Sequence, residues 1–230
     1  MATQTTMLSA RQVRKRFDPN GAWVLDGVDL NLDAGSHLAI VGPSGSGKST
    51  LLGILGTLEE PDDGQIVLGE QSYSTLDPDS RAALRRDSIG FVFQEHHLLP
   101  QCTALQNVLL PLLSRPGQSL AEAERGRAES LLTALGLGER FDAWPHQLST
   151  GQRQRIAVAR ALIGSPALIL ADEPTGSLDR NSADDLVTLL LEHSGAASVV
   201  VVTHSERVAQ ACGRIMELMD GQLLERGLSR

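Results

Sequence analysis

Gly42-Pro43-Ser44-Gly45-Ser46-Gly47-Lys48-Ser49-Thr50 is the stretch on which the fold turns. Its spacing, Gly-x-x-x-x-Gly-Lys-Ser, belongs to a loop that cradles phosphates when a strand precedes it and a helix follows. Both flanks are present. HLAIV at 37–41 is a short apolar run that predicts a strand, and a helix is expected from Lys48 to about Thr57. The glycines let the backbone curl so that several N–H groups face phosphate oxygens. The helix N-terminus adds partial positive charge at the same point. In this pattern Lys48 reaches the β- and γ-phosphates, and Ser49 offers its hydroxyl to Mg²⁺. A nucleoside triphosphate is the expected ligand.

Outward from the loop, strands and helices alternate. Residues 7–41 read as strands with turns, one of them at Pro19, Asn20 and Gly21. Residues 65–73 read as a hairpin-type strand region. Beyond residue 150 the order is a helix at 150–164, the strand ALILAD at 167–172, a helix near 182–193, the strand SVVVVT at 198–203 and a helix at 205–212. A final hairpin turns at Asp220-Gly221, a pair suited to a type I′ turn. Fully apolar strands between helices imply an α/β fold whose mostly parallel sheet is covered on both faces. The middle, roughly 80–147, carries helical spacing in RAALRR, TALQNVLLPLL and SLAEAERGRAESLLTALG, and reads as a helical insertion. Ser119 followed by Glu122 has the pattern of a capping box for the last of these helices.

ALILADE closes its apolar run with two carboxylates, Asp172 and Glu173. A parallel strand delivers its C-terminal residues to the crevice where ligands bind. Asp172 is expected to hold Mg²⁺ through water, and Glu173, pointing differently, to polarise a water for attack on the γ-phosphate. Alignment and charge stabilisation dominate phosphoryl transfer, so a carboxylate placed there needs position more than a shifted pKa. His204 ends the next apolar strand at the same edge, where it can bond the γ-phosphate or orient the water. The remaining histidines read as solvated or structural.

Composition narrows the classes. The 230 residues carry 20 Lys and Arg against 28 Asp and Glu, a net charge of −8, which argues against a nucleic-acid partner. Cys102 and Cys212 lie far apart in no metal-ligand pattern, as expected of free thiols in a reducing compartment. No apolar run approaches the roughly 18 residues that span a bilayer, and the N-terminal stretch has no apolar segment of a secretory signal. The expected place is the cytosol, with membrane contact through a partner.

Leu148-Ser149-Thr150-Gly151-Gln152, followed by RQRIAVARAL, decides the family resemblance. The sequence strongly resembles the ATPase subunits of ABC transporters, whose signature is LSGGQ-x-QR-x-x-x-AR-A. The likeness covers nearly the whole chain, with the phosphate loop, Gln94, the signature, ALILADEPTGSLD and the His204 region in family order. On physical grounds alone, Ser149 is a good N-cap, and a helix opening Ser-Thr-Gly offers a second anion site through a hydroxyl and free backbone N–H groups.

The resemblance implies a P-loop NTPase fold with an N-terminal antiparallel β subdomain and a helical subdomain. One domain would cover 1–230, with the core and β subdomain at 1–93 and 165–230 and the helical subdomain at about 94–164. It implies ATP and Mg²⁺ as ligands and a second copy as partner, each copy's Ser149, Thr150, Gly151 and Gln152 closing over the other's ATP in a head-to-tail dimer. It also implies integral membrane permease subunits, with residues around 90–115 transmitting motion to them at the cytoplasmic face of a bacterial inner membrane. By the same carry-over, Gln94 contacts Mg²⁺ or the attacking water, Asp179 links the two sites across the dimer, and Phe17 stands where a tyrosine usually stacks on adenine. Thr150 departs from the usual glycine and puts a methyl where backbone approaches phosphate. Within the family, HHLLP followed by TALQNV and PLL, with the late MELMDGQL, is most like the lipoprotein-releasing ATPases. Macrolide and peptide exporters and division-associated ATPases belong to the same branch. About 100 residues without sustained heptads separate loop and signature, unlike the long coiled coil of chromosome-maintenance ATPases. Translation factors of the superfamily hold two cassettes, and a plain P-loop kinase lacks LSTGQ.

Overall fold

A computed structural model of the chain describes residues 6–113 and 121–227. The elements in chain order are strands β1 (Thr6–Lys15), β2 (Leu25–Asp33) and β3 (His37–Val41), helix α1 (Lys48–Leu55), strands β4 (Asp63–Leu68) and β5 (Gln71–Ser72), and helix α2 (Pro78–Ser88). Strand β6 (Ile89–Phe93) and helices α3 (Ala104–Leu113), α4 (Glu122–Ala134) and α5 (Thr150–Leu162) follow. The chain then runs through β7 (Leu168–Asp172), α6 (Arg180–His193), β8 (Ser198–Val202), α7 (Glu206–Ala211), β9 (Ile215–Met219) and β10 (Gln222–Arg226).

Two sheets result. The larger has strand order β10-β9-β3-β8-β7-β6 and is parallel except for the terminal hairpin of β9 and β10. The smaller, β2-β1-β4-β5, is antiparallel. The hairpin joins Met219 to Gln222 through Asp220 and Gly221, both at positive φ (51° and 77°), as a type I′ turn demands.

The apolar strands explain why the chain folds around this sheet. Side chains alternate between faces, and β8 is buried at all five positions. Val199 and Val201 join one core with helices α3 to α7, while Val200 and Val202 join the other with α1 and the antiparallel sheet. β3 and β7 split the same way: Ala39, Val41, Ile169 and Ala171 on one face, Leu38, Ile40, Leu168 and Leu170 on the other. The helices at 104–162 thus share one continuous apolar cluster with a face of the core sheet.

The middle of the chain differs from the sequence expectation in one respect. Residues 89–93 interrupt the helical stretch as β6, the edge strand of the core sheet, and α2 packs on the side of the antiparallel sheet through Leu84. IGFVF is a five-residue apolar run of the kind whose periodicity cannot separate strand from helix. Ser119 lies outside the described residues. α4 begins at Glu122, and the Glu124 side chain folds back to accept the Ala121 N–H at 2.9 Å. That is one arm of a capping box, two residues later than the expected one.

Gly90 lets α5 approach β6 closely, since a Cβ there would lie 2.4 Å from the Ala161 carbonyl oxygen. Gly126, within α4, has open space around it. Gly90→Ala is expected to destabilise the chain by about 1–3 kcal/mol through overpacking. Gly126→Ala should stabilise it by up to about 1 kcal/mol through helix propensity. Urea denaturation of both variants measures the contrast.

Candidate functional site

Strand register assembles the site. Ile40 pairs with Val202, Val202 with Asp172, and Asp172 with Phe93, so β3, β8, β7 and β6 end in line. The residues that follow leave from one edge: Val41 and the phosphate loop, Thr203 and His204, Glu173, and Gln94. The ladder continues one step past the strands, with Thr203 N donating to Ile40 O and Glu173 N to Val202 O.

The phosphate loop has the curled backbone its sequence predicts. Gly42, Gly45 and Gly47 adopt φ of 151°, 79° and 97°. A Cβ on Gly42 would lie 2.3 Å from the Leu218 carbonyl oxygen, so glycine is required there by packing as well as by conformation. Lys48 is buried, and its Nζ donates to the carbonyls of Gly42 (3.0 Å) and Pro43 (2.9 Å), which spans the loop with a cation. The loop opens onto a cleft of about 380 Å³ lined by Ser44, Gly45, Gly47, Lys48, Ser49 and Thr50 on one side. Asp172, Glu173 and His204 line it on another, and Phe17 with Val24 completes the wall. Phe17 is 66% exposed and turned to this cleft, as a ring that stacks on a base must be.

Charge in the cleft is organised by burial. The Asp172 Oδ1 and Ser46 Oγ atoms are buried without a hydrogen-bond partner among the described residues. A carboxylate oxygen and the Ser49 hydroxyl together form a hard-oxygen donor set that suits Mg²⁺. Glu173 sits at positive φ (44°), rare for a side-chain-bearing residue and characteristic of functional positions. His204 Nε2 lies 3.2 Å from its Oε1, and the His204 N–H donates to Oε2 at 3.3 Å. Burial pushes the Glu173 carboxyl above its ordinary pKa, opposed by His204 and Lys48.

Other expected residues lie apart from this cleft. Gln94 is exposed, and its amide rests on Gly176, in the loop after β7, rather than among the cleft-lining groups. Asp179 caps α6, its carboxylate accepting from Ser182 N (3.1 Å) and Ser182 Oγ (2.6 Å). None of Ser149, Thr150, Gly151 and Gln152 lines the cleft. Ser149 caps α5 in a full capping box: Gln152 N donates to Ser149 Oγ at 3.2 Å, and Ser149 N donates to Gln152 Oε1 at 2.9 Å. The Gln152 N–H is therefore engaged by the N-cap expected at Ser149, so it is not among the free N–H groups of this helix start. Thr150 takes the first helical position with its hydroxyl accepting from Arg153 at 3.1 Å, a role glycine lacks.

Two residues of α5 escaped the sequence reading. Gln154 is fully buried; its Nε2 donates to Phe93 O at 2.9 Å and its Oε1 lies 2.8 Å from His96 Nδ1. Arg160 donates to the carbonyls of His96 and His97, both at 2.7 Å. Together they tie the helix behind the signature to the loop that carries Gln94. The sequence carries no periodic signal for them, since six residues apart on α5 they stand about 120° from each other around the helix axis.

Strand, curled loop and helix, with paired carboxylates at the end of β7, one strand removed from β3, define a P-loop nucleoside triphosphatase. Residues 25–176 match the family described as ABC transporter. The chain belongs to the ABC transporter family and is an ATP-binding cassette within it. It is 46% identical to the lipoprotein-releasing system ATP-binding protein LolD of Anaeromyxobacter dehalogenans, over the whole of this chain and 97% of that protein. It is 48% identical to the macrolide export ATP-binding/permease protein MacB of Hyphomonas neptunium over 87% of this chain, but spans only 31% of that relative's length. Among solved structures it resembles the dimeric, ADP- and Pi-bound ATP-binding cassette MJ0796, with a TM-score of 0.85 and 41% identity over 96% of this chain and all of that one.

Because burial raises the Glu173 pKa, its carboxylate is protonated at pH values where a free glutamate is still charged. Were Glu173 the base of ATP hydrolysis, that action would be lost as pH falls through the raised value. The acid limb of the kcat/KM profile for ATP hydrolysis should therefore lie above the ordinary glutamate range. His204→Ala, which removes a partner that favours the ionised form, should move that limb to still higher pH.

Proposed function

We propose that the chain is the ATP-hydrolysing subunit of a membrane complex, and that two copies close over two ATP molecules to drive it. The observation that carries this reading is the separation of the two anion sites. Lys48, Asp172, Glu173 and His204 share one cleft, whereas the Ser149 helix start lies outside it. A second copy arranged head to tail brings its signature to the open side of the first copy's nucleotide. The solved relative described as a dimer bound to ADP and Pi supports the pairing of two copies.

The residues then divide the chemistry. Backbone N–H groups of residues 44–50 and the Lys48 ammonium neutralise phosphate oxygens. Ser49 and Asp172 would hold Mg²⁺, which supplies Lewis-acid charge compensation on the phosphates when bound, and Gln94 would contribute once its loop turns inward. Glu173 accepts the proton of a water aligned with the γ-phosphorus, and His204 orients that carboxylate. Ser149, Gly151 and their helix start donate to the γ-phosphate from the second copy, Asp179 joins the two sites, and cleavage removes the group that bridges the copies.

Among the described residues no helix is long and apolar enough to cross a membrane. The permease subunits would stand at the cytoplasmic face of the inner membrane, and a groove of about 620 Å³ lined by Phe91, Phe93, Pro111 and Arg160, beside the Gln94 loop, is a surface that could receive them. Lipoprotein release from the inner membrane is the favoured work, supported by the relatives named for that system. Macrolide export is the second reading, carried by the relatives named MacB.

Glu173→Gln should bind Mg·ATP without hydrolysing it and sediment as a dimer, while the same variant carrying Lys48→Ala should stay monomeric. A Glu173→Gln chain that turns ATP over at the parent rate would remove Glu173 as the base. Purification from its own host in mild detergent identifies the partner. A permease with a large periplasmic domain that binds lipoprotein supports release, and one that confers macrolide resistance supports export.

A further inference from the structure

Lys15 is the least expected buried group in the molecule. It ends β1 two residues before Phe17 and is only 8% exposed. Its ammonium donates to Glu60 O at 2.7 Å, pairs with Glu59 at 2.8 Å and lies 3.5 Å from Asp62. These three anchors all come from the loop between α1 and β4, the continuation of the helix that begins at the phosphate loop. The Glu59 carboxylate, chiefly by hydrogen bonding and with Asp62 adding to it, holds Lys15 above its ordinary pKa against the opposing effect of burial, so it stays charged at neutral pH.

The same loop grips the backbone that presents Phe17. Asp62 accepts the Arg16 N–H at 2.8 Å, and Asp62 N donates to Arg14 O at 2.9 Å. Arg16 in turn lies over the Trp23 ring at 4.5 Å. With its backbone held on both sides, the segment places the Phe17 ring 5.4 Å from the Lys15 ammonium, within cation–π range. The ring is still 66% exposed and lines the cleft.

We infer that Lys15 is a positioning residue for nucleobase binding. Clamped by Glu59, Glu60 and Asp62, it sets the orientation of the Phe17 ring against which the base stacks. The inference rests on the reading of Phe17 as the stacking ring. Phenylalanine has no hydroxyl with which to fix its own orientation, so an ion at the ring supplies what a hydrogen bond otherwise would. Lys15 therefore acts on the base and not on the phosphates, which Lys48 and the loop handle.

Calorimetric titration of the full chain with Mg·ATP and with Mg·tripolyphosphate, which lacks the base, separates these roles. Lys15→Met should weaken ATP binding about threefold to tenfold and leave tripolyphosphate binding unchanged. Phe17→Ala should do the same, and the double variant should lose no more than Phe17→Ala alone. If Phe17→Ala weakens ATP but Lys15→Met does not, stacking stands and the role of Lys15 falls. If Phe17→Ala leaves ATP binding unchanged, the stacking reading itself falls. Equal weakening of both ligands by Lys15→Met would make Lys15 a structural residue only. Should Lys15→Met fail to fold, Glu59→Gln, which loosens the clamp from a half-buried position, should show a smaller loss confined to ATP. An unchanged ATP affinity in that variant would overturn the inference.

Discussion

Everything in this molecule depends on a parallel sheet buried on both faces. Strands β3, β7 and β8 carry almost nothing but Val, Ile, Leu and Ala, because each face belongs to a different apolar core. Register in such a sheet is strongly specified, since a slip of one residue exchanges the side chains of the two faces. Here the two faces are not equivalent: one receives the helices and the other α1 with the antiparallel sheet. The apolar matching that fixes register also fixes where each strand stops, and the chemistry begins at those stops. Lys48, Asp172, Glu173 and His204 meet because the valines and leucines before them do.

A second constraint is the cost of placing charge at that edge. The phosphate loop concentrates N–H donors and a buried lysine, and the opposite wall concentrates carboxylates. Lys48 is stabilised by two loop carbonyls, and Glu173 is held by His204 while burial resists its ionisation. Asp172 keeps a buried oxygen with no hydrogen-bond partner among the described residues. Such an atom costs about 1–3 kcal/mol and more when charged, a strain that a divalent cation relieves. The site is poised toward its ligands in this specific sense.

Much of this was legible from residue order. Apolar runs such as SVVVV have one comfortable environment, the glycine-rich loop one geometry, and Asp220-Gly221 one turn. Other features hid for physical reasons. β6 is too short for periodicity to distinguish it from helix. Gln154 reads as an ordinary polar position on an amphipathic helix, and only tertiary packing reveals it at 0% exposure, bonded across to Phe93 and His96. Lys15 sits in Arg-Lys-Arg, and nothing in that triplet marks it for burial, because its three anchors lie about 45 residues away. The engagement of the Gln152 N–H by Ser149 follows from the capping box, a pattern visible in the sequence whose consequence for anion binding emerges only from the hydrogen bonds.

The two halves of the proposed catalytic site lie on separate surfaces of one chain, so the account stands or falls on the second copy. Its most direct test is disulfide trapping with Cys102 and Cys212 replaced. Ser149→Cys is placed in one tagged copy and Ser44→Cys in a differently tagged copy, and the mixture is oxidised with and without Mg·ATP. The account predicts a cross-link between the two tags that forms when oxidant is added in the presence of Mg·ATP and does not form when oxidant is added after the ATP has been hydrolysed. A cross-link that ignores nucleotide, or no cross-link between copies under any condition, would contradict it.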